Sequence, residues 1–89
     1  MNELSIGIAQ INPKVGDVIG NIELLKKAVR TIDSKPDLVV TGELSISGYP
    51  PEDLVLKPSF IDLIEKEVGK LASETKNGPA LLVGTPWRE

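Results

Sequence analysis

Apolar residues recur along the chain in three short runs and two longer, spaced stripes. The short runs lie within residues 3–12, 37–43 and 80–84 and have the length and composition of strands. Between them, apolar residues at intervals of three and four predict two amphipathic helices, with the stripes Ile22, Leu25, Val29 and Ile32, and Phe60, Ile61, Ile64, Val68, Leu71 and Ala72. The resulting order β-α-β-α-β predicts an α/β fold with a parallel sheet.

Turn-forming and capping residues delimit the two helices. Asn21 is placed to cap the first helix, which should end near Ser34, ahead of a proline. Pro58 or Ser59 should open the second helix, and the Asn-Gly-Pro stretch at 77–79 should stop it.

The predicted sheet is incomplete. Consecutive right-handed crossovers in one direction put both helices on one face, and we expect the opposite face, including Gly7 and Ala9, to be bare. These two residues indicate either a strand short of side chains or a face that another layer approaches closely. The continuous run 38–40 is typical of a strand buried on both faces. Residues 1–89 are therefore expected to form the N-terminal portion of a larger layered domain, and to self-associate or pair with its remainder.

Composition and charge exclude several classes of function. The 89 residues are 40% hydrophobic and 26% charged, with a net charge of −3 and no cysteine or histidine. Disulfides and His or Cys metal sites are thus excluded. Lys26, Lys27 and Arg30 lie among Glu23 and Asp33, which indicates a solvated helix face rather than a nucleic-acid site. No run is long enough for a membrane span, and we expect a cytoplasmic location.

One carboxylate, Glu43, arrives at the end of the second strand. Ligands of open α/β sheets gather at the carboxyl ends of the strands, where three loops should converge here: 10–21, 41–54 and 84–89. Glu43 either caps a loop or pairs with a lysine, or acts as a general base or acid in a partly dry pocket. The rigid Tyr-Pro-Pro sequence at 49–51 would fix a wall of that pocket, with Pro51 opening a short helix.

Two other kinds of site have weaker support. The glycine-rich stretch 16–21 lies between a strand and a helix, but it matches neither nucleotide-binding glycine motif. Asp17, Glu43, Glu52 and Asp53 could bind a hard cation in principle, although their spacing matches no ligand pattern. No cofactor or metal site is predicted in this segment.

Three stretches carry a resemblance to a known family: IGIAQINPKVGDVIGNIELL, GELSISGYPPEDLVLKPSFI and ALLVGTP. Together they span the chain and resemble the nitrilase, or carbon–nitrogen hydrolase, superfamily. Within it, they are most similar to the N-terminal glutaminase domain of glutamine-dependent NAD synthetases. The resemblance implies that the chain opens an α-β-β-α four-layer sandwich.

The resemblance also implies a Glu-Lys-Cys triad, in which Glu43 matches the general base. A free thiol has a pKa of about 8.5 and a free glutamate of about 4.3, so proton transfer between them costs about 5.7 kcal/mol. Burial of the carboxyl and a nearby ammonium reduce that difference. The implied reaction is acyl transfer from glutamine through a thioester, releasing ammonia. A synthetase domain using ATP and Mg would then amidate deamido-NAD to NAD.

Two departures from the family pattern bear on activity. The chain has no cysteine and no lysine in a matching motif, so we expect this segment alone to be inactive and the missing residues to follow downstream. Thr41 and Gly42 stand where the family commonly has an apolar residue and a proline, which should hold Glu43 less firmly. The alternatives are a fragment of another nitrilase-family amidase or carbamoylase, and a truncated, non-catalytic α/β product.

Overall fold

The predicted order of elements is confirmed. The computed structural model describes residues 3–32, 35–50 and 52–87. The elements are β1 (Ile6–Ala9), α1 (Val18–Arg30), β2 (Leu38–Thr41), a 3-10 helix (Glu52–Leu56), α2 (Pro58–Glu74) and β3 (Ala80–Leu82). The predicted roles of Pro51 and of the Glu52 side chain lie outside the described residues.

The three strands form one parallel sheet in the order β1-β2-β3. Gly7 pairs with Val39, and Val39 pairs with Leu81 on its other side. Since partners in register share a face, these three residues mark one face of the sheet. Ile8, Val40 and Leu82 mark the other face, which we call the bare face together with Ile6, Leu38 and Ala80.

The start and end of α1 differ from the prediction. Asp17 is the N-cap, and its carboxylate accepts a hydrogen bond of 3.1 Å from the Gly20 amide. The prediction that Asn21 caps the helix is therefore wrong, because the turn at Gly16 starts the helix earlier and places Asn21 inside it. The helix ends at Arg30, before the predicted end near Ser34. The second helix begins at Pro58, as predicted.

The helices cover the opposite face of the sheet from the one predicted. A Cβ atom on Gly7 would lie 3.0 Å from Cγ of Pro36 and 3.1 Å from Cδ1 of Ile32. Ala9 is buried, whereas the side chains of Ile6 and Ile8 remain 53% and 73% exposed. Gly7 thus permits a close approach by the segment between α1 and β2, which decides between the two interpretations of this strand. The large aliphatic residues are left on the bare face.

The hydrophobic core lies between the helices and the covered face. Its fully buried side chains include Val18 and Leu25 of α1, Val39 of β2, Ile64 of α2, and Ile46 in the turn after β2. Leu38 and Val40 are only half-buried, so the expectation that β2 is covered on both faces is wrong for this chain. One face of β2 has no layer packed on it among the described residues.

The charged face of α1 is solvated, as predicted. Lys27 and Arg30 are exposed. The Lys26 Nζ atom lies 2.9 Å from a carboxylate oxygen of Glu74 in α2 and 3.6 Å from one of Glu23. The hydrogen bond to the Glu74 carboxylate raises the pKa of Lys26 above its usual value. Exposed ion pairs of this kind contribute little to stability. Within the described ranges, neither helix is long and apolar enough to cross a membrane.

Candidate functional site

Glu43 lies in a compact turn that follows β2, and we call residues 43–48 the glutamate turn. The Ser45 hydroxyl donates a 2.6 Å hydrogen bond to the Gly42 carbonyl, and the Gly48 amide donates a 2.9 Å bond to the Leu44 carbonyl. Leu44 has a φ of 52°, which a non-glycine residue rarely adopts. Such strain persists only where surrounding contacts hold the backbone, and it clusters at functional sites.

The loop after β1 packs directly on the glutamate turn. The Gly16 amide donates a 2.8 Å hydrogen bond to the Ser47 carbonyl. Gly48 has a φ of 81°, and a Cβ atom there would lie 2.6 Å from Cα of Val15. Only glycine allows this approach, so the two loops meet at backbone distance.

Asn21 joins the same two loops through its side chain. It is fully buried in α1, and its amide group donates to the carbonyls of Lys14 at 2.9 Å and Ile46 at 2.8 Å. Its side-chain oxygen accepts a 2.8 Å bond from the Lys14 amide. The sequence carries a signal for this role, because Asn21 falls on the same helix stripe as Val18 and Leu25, where an apolar residue is expected.

The loop after β3 holds the other side of the glutamate turn. The Thr41 hydroxyl accepts a 3.1 Å bond from the Gly84 amide and donates to the Leu82 carbonyl at 3.2 Å. A Cβ atom on Gly84 would lie 2.6 Å from the Leu44 nitrogen and 3.0 Å from Cα of Glu43. Thr41 of β2 and Gly84 of the loop after β3 thus contact the turn, and the weaker hold on Glu43 by Gly42 than by proline stays a prediction. No short-range pattern in the sequence indicates the role of Thr41 or Gly84.

The predicted convergence of three loops at the carboxyl ends of the strands is confirmed for the described residues. A cleft of about 430 Å³ opens there, lined by Ile8, Ala9, Gln10, Ile11, Asn12, Pro13, Thr41, Gly42, Glu43, Ser45 and Tyr49. A larger cavity of about 640 Å³ lies near Asp37 and Pro79, at the amino ends of the strands, where α/β sheets seldom bind ligands.

Glu43 is exposed at this cleft. None of the hydrogen bonds or ion pairs among the described residues involves its side chain, which leaves the carboxylate available to a ligand. Loop capping and lysine pairing, the two structural alternatives for Glu43, therefore do not occur there. The partly dry pocket predicted around Glu43 is not formed by these residues. The peptide bond that joins Tyr49, in the cleft wall, to Pro50 is cis.

The other predicted ligands do not gather around Glu43. Asp17 is engaged as the N-cap of α1, and Asp53 belongs to the 3-10 helix. In the part of the chain that the structure describes, no three His, Cys, Asp or Glu residues could hold a metal ion. What the cleft offers chemically is one carboxylate, flanked by amide and hydroxyl groups of its lining residues.

Known proteins resemble the chain over nearly its whole length. No protein-family profile matches it. It is 40% identical over 97% of its length to a glutamine-dependent NAD(+) synthetase of Aquifex aeolicus, and 41% identical over 94% to that of Thermotoga maritima. A third such enzyme, from Synechocystis, is 40% identical over 91% of the chain. The chain is homologous to a segment of the glutamine-dependent NAD(+) synthetases.

The homology covers only part of these synthetases. The chain spans about 15% of the length of each of the three relatives. The sequence identity confirms the resemblance to glutamine-dependent NAD synthetases inferred from the three motif stretches. Glu43 lies within the region matched in the Aquifex comparison, which covers 97% of the chain.

Proposed function

We propose that this chain is the N-terminal part of a glutaminase domain in a glutamine-dependent NAD synthetase. The domain would release ammonia from glutamine, and the ammonia would amidate deamido-NAD. The proposal rests on one observation above the others: a chain homologous to these synthetases places an unpaired glutamate at the carboxyl end of its central strand. That position is where α/β folds carry their chemistry.

Glu43 would act as the general base toward a cysteine thiol. The thiolate attacks the glutamine amide carbon, ammonia leaves, and water releases glutamate from the thioester. A lysine ammonium beside the thiol would favour the thiolate and stabilise the oxyanion. This chain contributes Glu43 and a wall of the cleft, and the cysteine and lysine would come from sequence beyond it.

The bare face supports the proposal that the fold continues into an α-β-β-α sandwich. Ile6, Ile8 and Leu82 are more than half exposed on one side of the sheet, next to the unpaired edges of β1 and β3. A second sheet packed on this face would remove the aliphatic surface from water. The remainder of the domain is thus the expected partner of this face.

We expect the isolated chain to self-associate through the bare face. Ile6→Lys should shift sedimentation of the chain toward monomer, because a charge on this face opposes its burial. Ile19→Lys is the matched control: Ile19 of α1 is 55% exposed and Ile6 is 53% exposed. An unchanged distribution for Ile6→Lys, or an equal shift for both variants, would contradict the proposed surface.

ATP and Mg²⁺ belong to the synthetase step of the proposed enzyme and do not fit this chain. Its glycine-rich stretch, residues 16–21, lacks the spacing of a phosphate-binding loop. The acid in that stretch, Asp17, is engaged as the N-cap of α1. Acidic clusters suited to Mg²⁺ are absent from the described ranges. We therefore assign no step of that chemistry to these residues.

Isotope transfer tests the proposed function in the complete polypeptide that contains this chain. With glutamine labelled with ¹⁵N at the amide, deamido-NAD and Mg-ATP, mass spectrometry should find the label in the carboxamide of NAD. Unlabelled glutamine with labelled ammonium is the reverse control. NAD formation from ammonium alone, with no transfer from glutamine, would contradict the glutaminase assignment.

A further inference from the structure

Asn21 is a buried residue whose side-chain amide bonds only to the two loops beside the cleft. Its three bonds, of 2.8, 2.9 and 2.8 Å, go to the backbone of Lys14 and Ile46, and its side chain is inaccessible to solvent. Two of these bonds tie α1 to the loop after β1. The third crosses to the glutamate turn, three residues beyond Glu43.

A buried asparagine is a poor choice for stability alone. An apolar side chain at this position of α1 would have better helix propensity and no polar group to satisfy. A buried amide that loses its partners is destabilising, so the position demands an intact set of contacts. Its contribution is geometric, because it sets the distance between a rigid helix and two loops.

The glutamate turn needs such an external hold. Leu44 has a left-handed backbone conformation, and Glu43 precedes it directly. Gly84 packs against the amino-terminal side of the turn, as the contacts to Leu44 and Glu43 show. The Asn21 bond to Ile46 and the Gly16 bond to Ser47 hold its carboxyl-terminal side. The turn is thus clamped from both sides.

We propose that Asn21 is a positioning residue that aligns Glu43 for proton transfer. The inference rests on the proposed function, in which Glu43 is the base. Asn21 does not touch the cleft, and its effect passes through the Ile46 carbonyl and the backbone of the turn. Misplacing a reacting group by ~1 Å lowers rates by as much as about 10²-fold, so loss of this bond should lower kcat on glutamine more than it changes KM.

Asn21→Asp in the complete enzyme tests this role through pH. A protonated carboxyl can still accept from the Lys14 amide and donate to the Ile46 carbonyl, whereas an ionised one cannot donate. We expect kcat of the variant on glutamine to be about ten- to hundredfold below that of wild type at pH ~8. The ratio of the two kcat values should recover as the pH falls, with ammonia-dependent synthesis unchanged. Asn77→Asp, at an exposed turn residue remote from the cleft, is the matched control.

Hydrogen exchange separates a positioning role from general destabilisation. In Asn21→Asp, amides of residues 42–48 should lose protection while those of α2 keep it. Uniform loss of protection, or a kcat on glutamine within threefold of wild type, would overturn the inference. Asn21→Ala removes all three bonds and should reproduce the fall in kcat without the recovery at low pH.

The Glu43→Gln variant, measured alongside, distinguishes the two levels of the proposal. If it loses glutamine use and Asn21→Asp keeps normal kcat, the positioning role alone is wrong. If Glu43→Gln retains glutamine use, the proposed function fails and the positioning role fails with it.

Discussion

In the complete polypeptide of the proposed enzyme, Glu43→Gln should abolish glutamine-dependent NAD synthesis while ammonia-dependent synthesis continues at the wild-type rate. The substituted glutamine side chain is close in shape to that of glutamate but cannot accept the thiol proton. The expected loss of kcat with glutamine as substrate is therefore about 10²- to 10⁴-fold, the usual contribution of a positioned base. The cleft geometry should survive, because the Glu43 side chain makes no hydrogen bond or ion pair within the described residues.

The control for this variant is Glu3→Gln. Glu3 is also exposed, but it precedes β1 and lies toward the amino ends of the strands, away from the cleft. It should retain both glutamine- and ammonia-dependent activity. Steady-state rates with each nitrogen donor make the comparison, and glutamine use by Glu43→Gln at the level of the control would falsify the assignment of the base.

Gly48→Ala should cause a large loss of stability, because glycine is needed there both for its backbone conformation and for a close approach between two loops. Its φ of 81° disfavours any L side chain by about 1–2 kcal/mol. The new Cβ would also lie 2.6 Å from Cα and 2.7 Å from the backbone nitrogen of Val15, where no side-chain rotation can relieve the overlap. Overpacking of this kind adds about 1–3 kcal/mol, so we expect at least ~2 kcal/mol in total.

Gly69→Ala is the opposite case and the control. Gly69 lies within α2, and a Cβ atom there would meet nothing within 4 Å. Alanine should raise the free energy of unfolding by about 0.5–1 kcal/mol through its better helix propensity. Urea unfolding followed by circular dichroism measures both variants. Equal and small effects would mean that the loops around Gly48 do not pack as the structure places them.

The two substitutions also bear on function differently. Displacing Val15 or Gly48 moves the loop after β1, whose Gly16 amide bonds the Ser47 carbonyl. Ser47 and Glu43 belong to the same glutamate turn. Gly48→Ala should therefore lower glutamine-dependent activity along with stability. Gly69 is distant from the turn along the chain and lies in the surface of α2, so Gly69→Ala should leave activity unchanged.

The secondary-structure elements, their order and the position of one carboxylate could be predicted from local patterns along the chain. Periodicity of 3.6 located the two helix stripes, and Pro58 marked the start of α2, because these signals depend on neighbours along the chain. The parallel sheet followed from the β-α-β order. Glu43 could be placed at the end of β2 because it follows the apolar run 38–40 closely along the chain.

Packing between distant segments fixes which face of the sheet is covered and what holds the glutamate turn, and neither could be predicted from local patterns. Gly7 and Ala9 were compatible with a bare face or a closely packed one, since a missing side chain does not say what fills the space. The sequence predicts Asn21 as a helix cap, whereas its amide bonds the backbone of Lys14 and Ile46, which packing sets beside it. Contacts between segments far apart in sequence leave no local periodic signal, and those contacts position Glu43.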